Sequence, residues 1–308
     1  MLMIAFAGLA AALHGTPAPY AYSPAGEPPR VEAARVAGDL LVSAAWLAEH
    51  AGDADVVIVH VAHERAEYDR GHVPGARFLP YESIAGEVDG LAVELRSPRE
   101  LEEAFEAAGV SDGSRIVLYG HPMSAARAWA TLDYLGHGDH AAVLDGGLEA
   151  WRAEGRPVSR EAARPRRGAL TPRAQPERFV DAEWVRAHLG ARGVALVDAR
   201  PAEEFSGSDG GHGGMHGAGH IPGARNLYWE ELLVSRADPR FRSREELAAR
   251  FRQAGAEPGE TVVAYCMIGM RASVAYFVAR YLGYQTRFYD GSWQDWSSRR
   301  LPVEGGTP

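Results

Sequence analysis

The sequence predicts an α/β protein of two similar halves, each a parallel β-sheet flanked by helices on both faces. The first observation is an internal repeat: GHVPGAR at 71–77 and GHIPGAR at 219–225 match at six of seven positions. The second is a set of short β-branched runs without polar alternation, as strands buried on both faces require. The third is that helical stretches, in which apolar residues recur every three to four positions, separate these runs. Alternating strands and helices of this kind give a parallel sheet.

The repeat extends in the same order through both halves. The amino half contains LVSAAWLAEH (41–50), VVIVHV (56–61), RIVLYG (115–120) and VLDGGLEAW (143–151). The carboxyl half contains the matching segments FVDAEWVRAH (179–188), VALVDA (194–199), TVVAYC (261–266) and FYDGSWQDW (288–296). This order indicates two copies of one domain.

Individual elements can be predicted from these patterns. The apolar runs predict strands at 56–61, 116–119, 194–197 and 262–265. The helical periodicity predicts helices at 100–108, 125–135, 244–254 and 271–282. In such a sheet, ligands bind where the carboxyl ends of strands meet the amino ends of helices.

Composition excludes several classes of function. The chain has 308 residues, 46% of them hydrophobic and 24% charged, which are ordinary values for a folded protein. Its formal net charge is -9, so binding to nucleic acid or to an anionic membrane surface is not expected. All 32 basic residues are arginine, which excludes a lysine Schiff base and a P-loop lysine. A single cysteine excludes an internal disulfide and a cysteine-rich zinc site.

The first residues resemble part of an export signal. The apolar segment 1–13 is too short to span a bilayer, and a region rich in small residues and proline comes after it. We therefore expect an exported or periplasmic protein without stable membrane insertion, and a cytoplasmic protein with an apolar tail is the alternative. The predicted boundaries are a signal-like segment and spacer at 1–38, a first domain at 39–160, a linker at 161–176 and a second domain at 177–308. The linker contains proline and arginine without hydrophobic periodicity, which is typical of an extended, solvated segment.

Cys266 is the candidate nucleophile. It follows the predicted strand at 262–265 and comes shortly before the predicted helix at 271–282. Backbone N–H groups of such a loop, together with a helix amino terminus, can converge on one small anion and favour the thiolate. Gly269 permits close backbone approach, and Arg271 adds a positive charge that can hold a substrate anion. A cysteine that serves only packing is the alternative, although we expect Cys266 to lie beside solvent.

These segments carry a resemblance to a known family. The tandem layout, the two GHxPGA segments, and YCMIGMRAS (265–273) followed by YDGSWQDW (289–296) resemble the two-domain rhodanese family of sulfurtransferases. The resemblance runs from Leu40 to Val303. It implies that the Cys266 thiolate takes the outer sulfur of a small donor such as thiosulfate, releases sulfite, and passes the sulfur from a persulfide to cyanide or a thiol. It implies no metal and no organic cofactor. The loop positions expected to bind substrate are Met267, Ile268, Gly269, Met270, Arg271 and Ala272.

Departures from the family pattern bear on the donor. Typical thiosulfate enzymes carry Arg and Lys directly after the cysteine, and mercaptopyruvate enzymes carry Gly and Ser, whereas this chain has Met267 and Ile268. Both subtypes usually have arginines before the second GHxPGA segment, where this chain has Glu204 and a glycine-rich stretch at 207–220. The order Cys, two variable residues, Gly, one variable residue, Arg resembles a bacterial variant usually assigned to thiosulfate-type transfer. Thiosulfate is therefore the expected donor, and 3-mercaptopyruvate is the alternative.

The amino half lacks the nucleophile, because Gly120 stands where Cys266 stands in the repeat. The resemblance implies that this half is inactive, packs against the catalytic half and walls the cleft.

Other chemistry-bearing residues have structural interpretations. His212, His216 and His220 are spaced four apart, but a metal site is not expected, and His220 shares its place in the repeat with His72. Asp198 and Arg200 are interpreted as a buried ion pair. Trp296 is assigned to the core, and Trp293 could border the site.

Two other functions compete with sulfur transfer catalysed by this chain. A cysteine phosphatase would need five residues between Cys and Arg, whereas four separate Cys266 from Arg271. A non-enzymatic persulfide carrier or sensor would use Cys266 without rapid turnover, and the sequence leaves that alternative open.

Overall fold

The computed structural model describes residues 39–209 and 217–305. The signal-like segment and spacer at 1–38, together with His212 and His216, lie outside the described residues.

The amino half contains seven strands and five α-helices among the described residues. The strands are β1 (Leu41–Val42), β2 (Val56–Ala62), β3 (Arg77–Pro80), β4 (Ala85–Val88), β5 (Leu91–Leu95), β6 (Arg115–Gly120) and β7 (Ala141–Leu144). The helices are α1 (Ala44–His50), α2 (Arg65–Arg70), α3 (Pro98–Ala107), α4 (Pro122–Tyr134) and α5 (Gly147–Ala153).

The carboxyl half has the same plan in the part of it that the structure describes. Its strands are β8 (Phe179–Val180), β9 (Val194–Asp198), β10 (Arg225–Asn226), β11 (Thr261–Tyr265) and β12 (Gln285–Tyr289). Its helices are α6 (Ala182–Ala187), α7 (Ala202–Ser206), α8 (Arg244–Gln253), α9 (Met270–Leu282) and α10 (Ser292–Ser298).

Each half is built around one five-stranded parallel sheet. The strand order is β1-β7-β6-β2-β3 in the amino half and β8-β12-β11-β9-β10 in the carboxyl half. Every pair of neighbours in these two sheets is parallel. The predicted fold class is therefore confirmed, and the eight elements predicted from periodicity are all present.

Local signals in the sequence explain where matching helices begin. Ser97 precedes α3 and Ser243 precedes α8, and each serine forms a capping box with a glutamate three residues later. Two unpaired N–H groups are satisfied at each helix start in this way, which stabilises the first turn. The two halves thus use the same capping chemistry at the same point of the repeat.

A β-hairpin formed by β4 and β5 distinguishes the amino half from the described part of the carboxyl half. The two strands are antiparallel, and Asp89 and Gly90 form the turn with positive φ at both positions. An Asp-Gly pair with positive φ is typical of a tight two-residue hairpin. The hairpin reaches the carboxyl half, where the Ala92 N–H donates to Oε1 of Gln294 at 3.0 Å. Our sequence prediction did not include this element.

The two halves share one apolar core in which α4 packs against α9. The rings of Trp129 and Phe277 meet edge-on with centroids 5.1 Å apart. Asp133 is buried between the helices, where its carboxylate accepts a hydrogen bond from the Tyr276 hydroxyl at 2.6 Å. The guanidinium groups of Arg178 and Arg280 complete its surroundings.

The segment predicted as a linker has no helix or strand before residue 176, but it is held against the amino half. The Gly168 N–H donates to the carbonyl of Glu106, and the Leu170 N–H donates to the Glu106 carboxylate. Leu170 itself is buried in the shared core. The segment is therefore less solvated than its composition suggests.

Candidate active site

Cys266 begins a four-residue loop between β11 and α9. Because β11 lies between β9 and β12 in the middle of the sheet, this loop emerges at the centre of its carboxyl edge. Gly269 closes the loop with φ +87°, a conformation that favours glycine. A Cβ at Gly269 would lie 2.5 Å from Oδ1 of Asp290, the residue that follows β12. Only glycine therefore fits where the loop approaches Asp290.

The start of α10 holds the backbone of Cys266 on both sides. The Cys266 N–H donates to Oγ of Ser292 at 3.1 Å, and the Trp293 N–H donates to the Cys266 carbonyl at 2.9 Å. The Ser292 hydroxyl in turn donates to the carbonyl of Tyr289 at 2.9 Å. Ser292 has φ +54°, and its repeat counterpart Gly147 has φ +55°. The carboxyl half thus keeps a serine in a glycine conformation, which is a form of backbone strain found at functional sites.

Cys266 is fully buried, with 0% of the residue exposed. The expectation that it lies beside solvent is wrong. The carboxyl edge of its sheet faces the amino half, and Cys266 belongs to the apolar core that both halves share. The sulfur therefore does not lie at the surface of the protein.

Arg271 lies near Cys266 but is already paired with a carboxylate. Its two terminal nitrogens donate to the two oxygens of Glu204 at 2.7 and 2.8 Å. Burial alone would lower the pKa of Arg271, but the hydrogen bond to Glu204 and the nearby Cys266 raise it above its ordinary value. Arg271 is therefore a permanent cation within electrostatic range of Cys266, and Glu204 offsets much of its charge. We singled out Glu204 in the sequence but did not predict this pairing.

A second ion pair, between Arg127 and Asp290, crosses from one half to the other beneath the loop. Arg127 is 0% exposed and contacts both oxygens of Asp290, with Nη2 to Oδ2 at 2.8 Å. Burial lowers the pKa of Arg127, but the charge of Asp290 outweighs that effect and raises it. The Leu95 N–H also donates to Oδ2 of Asp290 at 3.0 Å. The amino half therefore fixes the carboxylate against which Gly269 packs.

The other predicted loop residues divide between two cores. Met267 is buried and Ile268 is half-buried in the apolar cluster that contains Trp293 and Trp296, on the other side of the sheet from Cys266. Met270 is half-buried against the shared core, and Ala272 is buried within it. Of the predicted set, Gly269 approaches Asp290, and Arg271 lies within electrostatic range of Cys266.

His72, His220 and the predicted ion pair of Asp198 and Arg200 have structural roles. The ring of His72 stacks on Tyr68 and that of His220 stacks on Phe205, each with centroids 3.7 Å apart. Nδ1 of each histidine lies within hydrogen-bond distance of the carbonyl of its stacking partner. Asp198 and Arg200 form a buried bidentate pair, as the sequence suggested.

The described residues contain neither a membrane-spanning helix nor a cluster of metal ligands. None of the helices in residues 39–209 and 217–305 is long and apolar enough to cross a membrane. Within the same ranges, no group of three or more His, Cys, Asp or Glu side chains is arranged to hold a metal ion.

The family is shown by a match to both halves. The model of the rhodanese-like domain matches residues 43–154 and again residues 181–299. The chain therefore belongs to the rhodanese-like domain family and carries the domain in tandem. It is a sulfurtransferase of this family, as the sequence analysis predicts.

Similar proteins with curated names include both enzymes and a carrier. The chain is 34% identical to "Sulfur carrier protein TtuD" of Thermus thermophilus, over 84% of this chain and 94% of that protein. It is 32% identical to "Thiosulfate sulfurtransferase" of Corynebacterium glutamicum, over 86% of this chain and 90% of that protein. It is 35% identical to "Probable 3-mercaptopyruvate sulfurtransferase" of Pseudomonas aeruginosa, over 78% of this chain and 86% of that protein.

Proposed function

We propose that this chain transfers a sulfane sulfur from thiosulfate to cyanide or a thiol through a persulfide on Cys266. The observation that carries the proposal is the placement of the chain's only cysteine. Cys266 stands at the centre of the carboxyl edge of a parallel sheet, in a loop that leads into the helix α9. Ligands of open α/β sheets bind at this edge.

The reaction divides into two balanced steps. In the first, the Cys266 thiolate attacks the outer sulfur of thiosulfate, the sulfur–sulfur bond of the donor breaks, and sulfite leaves with its electron pair. In the second, cyanide attacks the outer sulfur of the persulfide, so that thiocyanate forms and the thiolate returns. Covalent catalysis of this kind replaces one difficult transfer by two easier ones.

In this proposal, each neighbour of Cys266 has a role that is supported by its contacts. Ser292 and Trp293 fix its backbone through the hydrogen bonds at its N–H and carbonyl. The loop and the first turn of α9 supply N–H groups that can stabilise an anionic sulfur. Arg271 supplies positive charge for an anionic donor, moderated by Glu204.

The test is steady-state production of thiocyanate from thiosulfate and cyanide. We expect turnover by the wild type and none by Cys266→Ala. Each of these two donors appears in the name of one similar protein: thiosulfate in one and 3-mercaptopyruvate in another. Comparison of the rates with the two compounds at equal concentration therefore identifies the preferred donor. Turnover by the Cys266→Ala variant, or none by the wild type, would refute the proposal.

A persulfide carrier is the second candidate, because one similar protein is named a sulfur carrier. A carrier would gain one sulfur at Cys266 from thiosulfate without steady release of thiocyanate. Mass measurement of the loaded protein, together with the thiocyanate assay, therefore separates the candidates.

We also propose export, from the apolar segment 1–13 and the small residues that come after it. Fractionation of cells that express the full chain tests it, since retention of all the protein in the cytoplasmic fraction would contradict export.

A further inference from the structure

Tyr81 belongs to the amino half but lies within electrostatic range of the nucleophile of the carboxyl half. It is the first residue of a short 3-10 helix after β3 and is 3% exposed. The charged groups that act on its hydroxyl include Arg127, Asp290 and Cys266. The half without a cysteine therefore places a phenol in the same core as Cys266 and within its electrostatic range.

A residue of the carboxyl half approaches the amino half at the matching position of the repeat. Tyr81 stands ten residues after Gly71, and Trp229 stands ten residues after Gly219. The Trp229 ring lies 5.8 Å from the ring of His121, which follows Gly120 in the amino half. Trp229 thus reaches the strand-to-helix junction of the amino half. Tyr81 lies within electrostatic range of the cysteine at the matching junction of the carboxyl half, and of these two aromatic side chains it is the one that carries a hydroxyl.

The Tyr81 hydroxyl is buried and has no hydrogen-bond partner among the described residues. Other buried tyrosines are paired: the hydroxyl of Tyr68 bonds to the Ala76 carbonyl, and that of Tyr276 to Asp133. A buried hydroxyl without a partner is costly, and such groups in native proteins call for an explanation. Burial raises the pKa of Tyr81 above its ordinary value, so the hydroxyl stays protonated and is available as a donor.

Arg127 presents a second donor in the same region. Its two terminal nitrogens bond to Asp290 and to the Val93 carbonyl, while its Nε has no partner within residues 39–209 and 217–305. Both arginines near the sulfur are already paired, Arg127 with Asp290 and Arg271 with Glu204. The neutral Tyr81 hydroxyl, by contrast, is a donor that forms no hydrogen bond with a carboxylate in the described residues.

We propose that the Tyr81 hydroxyl donates a hydrogen bond to a sulfite oxygen of thiosulfate bound at Cys266. This inference rests on the proposed function. When the sulfur–sulfur bond of the donor breaks, the sulfite group gains an electron pair, so the hydrogen bond strengthens as the reaction proceeds. Interactions that strengthen in this way accelerate the step in which they form. Tyr81 would thus act in the loading of sulfur and not in its discharge.

Tyr81→Phe tests the proposal, because it removes the hydroxyl and keeps the ring. We expect single-turnover release of sulfite from thiosulfate to slow about tenfold or more. Discharge of preloaded persulfide to cyanide should keep its wild-type rate. The melting temperature should stay the same or rise, because the variant no longer buries an unpaired hydroxyl.

Tyr68→Phe is the matched control, since Tyr68 is an equally buried tyrosine of the same half whose hydroxyl is paired. It should lower the melting temperature and change neither rate. An unchanged loading rate in Tyr81→Phe, or equal slowing of loading and discharge, would overturn the proposal.

A second measurement does not depend on turnover. Cys266 is the only thiol, so its alkylation by anionic iodoacetate and by neutral iodoacetamide can be compared directly. Tyr81→Phe should reduce the rate with iodoacetate relative to iodoacetamide, and an unchanged ratio would contradict donation to an anion. If the wild type loads no sulfur but this ratio falls, the proposed function fails while anion recognition by Tyr81 stands.

Discussion

The two halves share a fold but differ at the carboxyl end of the middle strand of each sheet. In the carboxyl half, β11 ends at Tyr265 and four residues separate it from α9. In the amino half, β6 continues to Gly120, which still pairs with Val61 of β2, and one residue separates it from α4. The amino half therefore lacks the loop as well as the cysteine.

Gly120 shows why the difference is more than one side chain. It has φ +148°, and a Cβ there would lie 2.1 Å from the carbonyl oxygen of Val61. Any side chain at Gly120 would have to displace the neighbouring strand. The loop between β11 and α9, by contrast, holds Cys266 through two backbone contacts from α10. A parallel strand followed by a helix is thus not sufficient for a reactive centre, because the length of the junction decides whether a nucleophile fits.

The largest expected effect concerns an attempt to move the nucleophile to the other half. The double variant Gly120→Cys/Cys266→Ala should have no sulfur transfer above background and should be less stable than Cys266→Ala. The reason is the clash with Val61 and the missing loop. Thiocyanate assays and urea unfolding of both variants test this expectation. Measurable turnover in the double variant would show that the junction of β6 and α4 can also hold an active cysteine.

The next effect concerns the aspartate that follows the last sheet strand of each half. Asp290→Asn leaves the buried Arg127 unpaired and loosens the contact to Gly269, so we expect a loss of about 3 kcal/mol in the free energy of unfolding. Misplacement of the loop should lower kcat/KM about 100-fold.

Asp145, the repeat counterpart of Asp290, provides the control. Its carboxylate accepts a hydrogen bond from the Phe241 N–H at 2.8 Å, whereas that of Asp290 packs against the loop of Cys266. Asp145→Asn should cost less stability and leave kcat/KM unchanged. Equal losses of activity in Asp290→Asn and Asp145→Asn would contradict a special role for the pair beneath the loop.

A smaller effect concerns the charge near Cys266. Arg271→Ala should raise KM for thiosulfate about tenfold, because a cation that holds the anionic donor is lost. Glu204→Gln should act in the opposite direction and lower KM, because it removes the negative charge that offsets the positive charge of Arg271. Steady-state kinetics on both variants test this pair of expectations. The same KM as wild type in both would show that the donor is bound without Arg271.

The last effect, which is absent at neutral pH, is confined to acid stability and again contrasts the halves. Where the carboxyl half has Asp198, the amino half has His60, and burial together with His72 and Arg152 lowers the pKa of His60 from 6.5 to about 4. The unfolded chain then binds a proton on this group at a higher pH than the folded chain. Stability should therefore be full above pH 6.5 and fall by about 3 kcal/mol as the pH drops to 4.

Urea unfolding between pH 7.5 and pH 4 in wild type and His60→Gln isolates this contribution. The variant should lose less stability over the range. Parallel curves for the two proteins would contradict a buried neutral histidine.

The sequence was sufficient for the plan of the fold, and it identified Cys266 as the candidate nucleophile. Strict order in the repeat predicted two parallel sheets, and the position of Cys266 between an apolar run and a helix marked the candidate reactive loop. The hairpin of β4 and β5 was missed, although its Asp89-Gly90 turn between apolar alternation is a recognisable signal.

Contacts between the two halves could not be predicted from the sequence. Arg127 and Asp290 carry no motif that pairs them, and they meet because the two halves pack against each other. The burial of Cys266 was misjudged for the same reason, because the exposure of this residue depends on how the amino half packs against the carboxyl half. Interactions that are local in the chain could be predicted, whereas those made by packing the two copies together could not.

The central claim is that sulfur is carried by Cys266 and by no other residue. Its most direct test is the intact mass of the protein after treatment with thiosulfate, with released sulfite counted in parallel. We predict a gain of about 32 Da, one sulfur atom, on the Cys266 thiolate and one sulfite per chain. Wild-type protein without this gain, or the same gain in Cys266→Ala, would contradict the account.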